Sequence, residues 1–113
     1  MKKNDTEIEE LTQRLIKFRD ERNWEQFHNS KDLALALSIE AAELNELFLW
    51  KGAEDVNVEK LREELADIFI FAFLLARKHS LNIRDIMMEK IAVNEKKYPT
   101  EKAKNTSRKY SEL

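Results

Sequence analysis

One glycine and one proline in 113 residues leave this chain few places to turn tightly. Leu, Ala, Glu, Lys and Arg dominate instead, and these residues lose little by entering a helix. The sequence therefore predicts an all-α domain, with helices joined by short polar connections. The same scarcity excludes several chemistries. A phosphate-cradling loop or a dinucleotide fold needs several glycines, and only Gly52 is present. There is no cysteine, so no thiol nucleophile, disulfide framework or cysteine zinc site can form. His28 and His79 have no second histidine four residues away, which rules out a zinc-protease helix. Chemistry here must run on carboxylates, hydroxyls, amines or a bound ion.

Four amphipathic segments can be read, a four-helix bundle-like pattern. The first runs from about Asp5 to Arg22, with Ile8, Leu11, Leu15 and Phe18 on one face and a capping box at Thr6 and Glu9. The second starts at Ser30 as N-cap and continues to Lys51, with Gly52 as its left-handed terminator. The third follows Asp55–Asn57 and reaches His79, read as a plain helix-end residue. The fourth begins at Asn82, capped with help from Asp85, and stops before Pro99. Residues 1–98 read as the helical domain and 99–113 as a basic tail. Residues 96–109 carry a net charge of +5, whereas residues 1–95 carry −6. An acidic body argues against a nucleic-acid partner. The first ten residues lack a secretion signal's apolar stretch. The longest apolar run, Ile68 to Ala76, has nine residues against the roughly 20 of a spanning helix. The expectation is a cytoplasmic protein without a membrane segment. A run that is apolar all round in so small a chain also predicts a homo-oligomer.

The chemistry-bearing pattern is two acidic pairs, Glu40-Ala-Ala-Glu43 on the second segment and Glu64-Leu-Ala-Asp67 on the third. Spacing alone means little, because Glu7/Glu10 and Glu43/Glu46 share it in this acidic chain. Position separates them. Glu40 interrupts the apolar stripe Leu33, Leu37, Leu44, Leu47, and Glu64 lies on the stripe Leu61, Leu65, Ile68. Asp67 shares its face with Phe71 and Leu74. Carboxylates turned toward a core are costly unless they are paired or hold a cation. Without one they raise each other's pKa and stay partly protonated. For a single interrupting Glu, pairing with Lys or Arg at the bundle edge is the plainer account. Two pairs on neighbouring helices favour a hard divalent cation, and the absence of a Glu-x-x-His pair favours Mg²⁺ (with Mn²⁺ as substitute) over a di-iron centre.

With these residues in place, the chain resembles the MazG-like all-α nucleoside triphosphate pyrophosphohydrolases, most nearly the dCTP pyrophosphatase branch. The resemblance rests on Trp24-Glu-Gln-Phe-His28, on Glu40 to Lys51 and on Glu63 to Asp67. It continues through Lys90-Ile-Ala-Val-Asn94 and Lys97-Tyr-Pro99 to Ser107-Arg-Lys-Tyr110. It implies Mg²⁺-dependent cleavage of a (d)NTP to (d)NMP and pyrophosphate, in a dimer or a dimer-of-dimers tetramer. Glu40, Glu43, Glu64 and Asp67 match the metal-binding and catalytic positions. Trp24, His28 and Trp50, with Phe71, match the base side of the pocket. Lys90, Asn94 and Tyr98 match a triphosphate-contacting stretch. Lys51, Arg108 and Lys109 are further cationic candidates for the phosphates. Phe71 stands where vertebrate members are expected to carry Tyr, and Asp32 where they carry Asn, so base choice is implied less firmly than the reaction. Specificity for dUTP, dATP or a broad NTP set, and a non-catalytic helical partner-binding module, are the competing expectations.

Overall fold

The computed structural model describes residues 6–113, without the Thr6 side chain. The expected start at Asp5 lies outside the described residues, as does the Thr6 side chain on which the expected capping box with Glu9 rests. Every regular element among the described residues is helical. They are α1 (Thr6–Glu21), a 3-10 turn at Glu25–Phe27, α2 (Ser30–Glu46), α3 (Val58–Lys78), α4 (Ile83–Lys97), the single-turn α5 (Thr100–Ala103) and a 3-10 turn at Tyr110–Glu112. They fall into two compact units, one ending at Leu81 and one spanning Asn82–Leu113. No helix among the described residues is long and apolar enough to cross a membrane.

Three helices open on the same device. Asn29, Asn57 and Asn82 each precede a helix in extended backbone, and each side-chain oxygen accepts the amide hydrogen three residues on, from Asp32, Lys60 and Asp85. Each such cap is worth about 1 kcal/mol. The expected N-cap Ser30 is instead the first helical residue. Asn29 reaches the Asp32 amide at 2.9 Å, which frees Ser30 Oγ to meet His79 Nε2 at 2.7 Å. His79 thus has a role that its position at a helix end did not reveal. This contact joins the start of α2 to the end of α3, so the two helices run antiparallel. Packing between them is the main contact of the first unit, with a smaller one between α1 and α3.

The end of α2 differs from expectation. Regular helix stops at Glu46, and the chain continues to Lys51 through tighter turns, such as Phe48 N–H to Asn45 and Lys51 N–H to Phe48. Trp50, not Gly52, takes the left-handed conformation, at φ 62°. A Cβ at Gly52 would lie 3.0 Å from Asp55 Oδ2, a tight contact that the exposed Asp55 side chain relieves by a small shift.

Among the described residues, Leu33 of α2 and Leu74 and Ala76 of α3 are the buried apolar side chains; Thr12 is also buried, and its Oγ1 donates to the Ile8 carbonyl at 2.8 Å. So small a core leaves apolar surface uncovered. Leu35, Ile39 and Phe69 remain 53%, 57% and 58% exposed. In the second unit, the Tyr98 and Tyr110 rings meet edge to face at 6.1 Å, and Lys97 Nζ lies 4.8 Å from the Tyr110 ring centre. Residues 99–113 are therefore locally ordered, although their helical turns are too short to show a period in sequence.

Candidate active site

The antiparallel packing of α2 and α3 brings Glu40, Glu43 and Glu64 together. Each offers a carboxylate oxygen within 4.8 Å of the other two. Glu40 and Glu64 are half-buried, and one oxygen of each is sealed from solvent with no hydrogen-bond partner. Among the described residues, no Lys or Arg forms an ion pair with these three or with Asp67. Among these residues the edge-pairing account finds no partner for any of the four acids. The cost shows in Glu40, whose carboxyl is pushed up to about 7. A hydrogen bond with Glu64 is the main cause, followed by burial and then by the hydrogen bond with and charge of Glu43, with a smaller push from Asp67.

The donor set suits a hard divalent cation. Octahedral coordination at about 2.1 Å places ligand oxygens about 3 to 4 Å apart, a short contraction from the observed spread. It would also satisfy both orphaned oxygens. Asp67 is not part of the tight triad. One turn further along α3, it lines an adjacent pocket of about 410 Å³, within the range of small-molecule sites.

The walls of that pocket are Leu15 and Phe18 of α1, Trp24 and His28 around the 3-10 turn, and Ile70, Phe71 and Leu74 of α3, with Arg14 and Arg19 among its charged members. Trp24 meets Phe18 edge to face at 5.6 Å. Burial is the main cause that lowers the His28 pKa, assisted by Arg19 and Lys78 and opposed by Glu25, so the imidazole is neutral at pH 7. Its Nδ1 is buried and unpartnered. The lining is mostly apolar and aromatic, with the His28 imidazole among its few polar members.

Of the residues singled out in the sequence, Trp24, His28, Asp67 and Phe71 meet in this pocket. Trp50 does not line it: it stands 94% exposed on the turn after α2, beside exposed Lys51. Lys90 and Asn94 lie one turn apart on α4 and Tyr98 is its C-cap, while Arg108 and Lys109 precede the final 3-10 turn. The pocket walls Phe18, Leu15 and Ile70 read in sequence as ordinary core positions, and nothing in their spacing distinguishes a wall that faces an opening.

Comparison with known proteins decides the family. Residues 35–113 match the sequence profile of the MazG-like family. The chain belongs to the MazG-like family. It is 36% identical to human dCTP pyrophosphatase 1, over 94% of this chain and 67% of that protein. The bovine dCTP pyrophosphatase 1 is 33% identical over 94% of this chain and 68% of its own length. Among solved structures, a pyrophosphatase from Archaeoglobus fulgidus superposes with a TM-score of 0.74 at 37% identity, covering 81% of this chain and 92% of that one. The expected all-α MazG-like fold, near the dCTP pyrophosphatase branch, is thereby borne out.

Proposed function

We propose that this protein cleaves a (d)NTP, dCTP or a related or modified dNTP, between its α and β phosphates, yielding the monophosphate and pyrophosphate in a Mg²⁺-dependent reaction. The enzyme class is that of its relatives: it is a nucleotide pyrophosphohydrolase with a house-cleaning role. The observation that carries the reading is the unpaired carboxylate triad beside an aromatic pocket of about 410 Å³. Glu40, Glu43 and Glu64, with Asp67 alongside, would hold Mg²⁺ (or Mn²⁺), which supplies charge neutralisation on the phosphates and an acidified water.

The chain's own residues do the rest. Trp24, Phe18 and Phe71 give the base an apolar slot and exclude water from it. Neutral His28 can either donate to or accept from the edge of the base, which fits a ring carrying both kinds of group. Glu40 and Glu43 are the candidates to take a proton from the attacking water, since both carboxylates face the cluster. Lys90, Asn94, Tyr98, Arg108 and Lys109 are assigned to the triphosphate, where cationic and amide donors match phosphate oxygens. The test is pyrophosphate release across a dNTP and NTP panel with Mg²⁺. Pyrophosphate and monophosphate, with dCTP among the best substrates, are the expected products. Orthophosphate would move the cleavage to another phosphate, and no turnover by the folded protein would leave the helical binding module.

The assembly is a homo-oligomer, a dimer or a dimer of dimers, in the cytoplasm, with neither nucleic acid nor membrane as partner. Exposed Leu35, Ile39 and Phe69 on a unit with so few buried apolar residues support this. It also gives Trp50 and Lys51 a use, reaching a neighbouring subunit's site. Light scattering should return two or four times the 13.4 kDa chain mass, and a monomer at micromolar concentration would overturn it.

A further inference from the structure

We infer that Arg19 is a positioning residue for the aromatic pocket: it clamps the Glu25–Phe27 turn to the end of α1 and thereby holds Trp24 and His28 in place across from Phe71. This rests on the pocket's role as the base site.

The chain leaves α1 abruptly. Asn23 takes a left-handed conformation at φ 53°, and Trp24 opens the 3-10 turn with no side-chain cap. A three-residue turn has little rigidity of its own, so the walls it carries depend on outside ties. Arg19 supplies them at two levels. Its carbonyl accepts the Trp24 amide hydrogen at 3.0 Å. Its side chain is 14% exposed, and the guanidinium pairs through Nη2 with Glu25 Oε2 at 3.3 Å, while Nε and Nη2 hold Asp20 Oδ1 at 2.9 and 2.8 Å. Glu25 in turn accepts the His28 amide hydrogen on its carbonyl at 3.0 Å. A continuous path of contacts thus runs from α1 through Arg19 and Glu25 to His28. Among the described residues it is the one ion pair between α1 and the turn.

The chemistry of the side chain matters as well as its charge. A planar fork can face Asp20 and Glu25 together, and an ammonium on a flexible stem holds that geometry less well. The outer partner, Glu25, is largely exposed, so the pair adds little to folding stability. Its use is to select one orientation of the turn. Arg19 also lies among the charges that keep His28 neutral.

The experiment uses the full chain as Arg19→Met, Arg19→Lys and Glu25→Gln. KM for the best triphosphate should rise about 10-fold in Arg19→Met, with kcat held within about twofold and the melting temperature little changed. Arg19→Lys should recover part of the loss. Independently of turnover, acrylamide quenching of Trp24, read in a Trp50→Phe background, should increase in Arg19→Met. Unchanged quenching and KM in folded Arg19→Met, or a fall in kcat with KM unmoved, would overturn the clamp. If Arg19→Met does not fold, Glu25→Gln breaks only the ion pair and should move both readouts in the same direction; if it moves neither, the clamp is refuted. If the wild type turns over no triphosphate, the functional reading fails while the quenching result still decides the clamp.

Discussion

Glu64→Gln should lower the rate of pyrophosphate release roughly 10²- to 10³-fold while leaving the protein folded. The substitution keeps the shape of the side chain and removes one negative charge from three that converge within 4.8 Å. It also replaces an acceptor by an amide that donates to Glu40, the carboxyl with which Glu64 shares its hydrogen bond. Cation affinity falls for both reasons: one anionic ligand is lost, and a second is diverted to an internal partner. Titration calorimetry with Mg²⁺ should show weaker binding in the variant than in the wild type. Chelation should reduce the wild-type rate to the variant's level and change the variant little. A variant with wild-type turnover would remove this triad from the reaction altogether.

The second large effect concerns stability without metal, and its sign is unusual for a carboxylate. The Glu40 carboxyl rises from an ordinary 4.5 to about 7 in the fold, so the folded state binds more protons than the unfolded chain between those values. Its stabilising contribution is complete below about pH 4.5 and is lost as pH climbs through about 7. EDTA-treated protein should therefore melt at a lower temperature at pH 8 than at pH 5. Glu40→Gln should flatten most of that slope and melt above the wild type at pH 8, although it abolishes turnover. His28 works in the opposite direction. Its pKa is lowered below 6.5, so its contribution is present above that value and lost as pH falls, and this weaker trend should persist in Glu40→Gln. Saturating Mg²⁺ should raise the melting temperature more at pH 8 than at pH 5, because the cation competes with the proton that Glu40 holds. Calorimetry of both proteins at the two pH values, with and without Mg²⁺, separates these terms. A wild-type curve without slope would show that the three carboxyls do not confront each other in solution.

These outcomes pit folding against function at one residue. Apolar stripes on α2 and α3 are interrupted at Glu40 and Glu64, where a leucine would pack more cheaply. The interruption is legible from periodicity alone because a charged residue on a core-facing stripe breaks a pattern that is otherwise regular. The same reasoning located the helices. Their ends were less legible: Asn29 and Ser30 can both cap a helix, and in the fold Asn29 caps α2 while Ser30 meets His79, 49 residues away.

By itself the sequence determined the all-helical class, since one glycine and one proline permit little else, and it determined the four acidic positions, since helical spacing assigns each a face. Tertiary structure alone decided which faces meet. It gathered Glu40, Glu43 and Glu64 into one cluster and placed Asp67 on the wall of the neighbouring pocket. It turned Phe18, Leu15 and Ile70 from apparent core into pocket walls, and put Trp50 outside that pocket. The physical reason is that periodicity reports the direction of a side chain from its own helix axis. Whether that direction ends in a packed neighbour, a carboxylate or an open cavity depends on how the helices cross, and residues distant in the chain set that crossing.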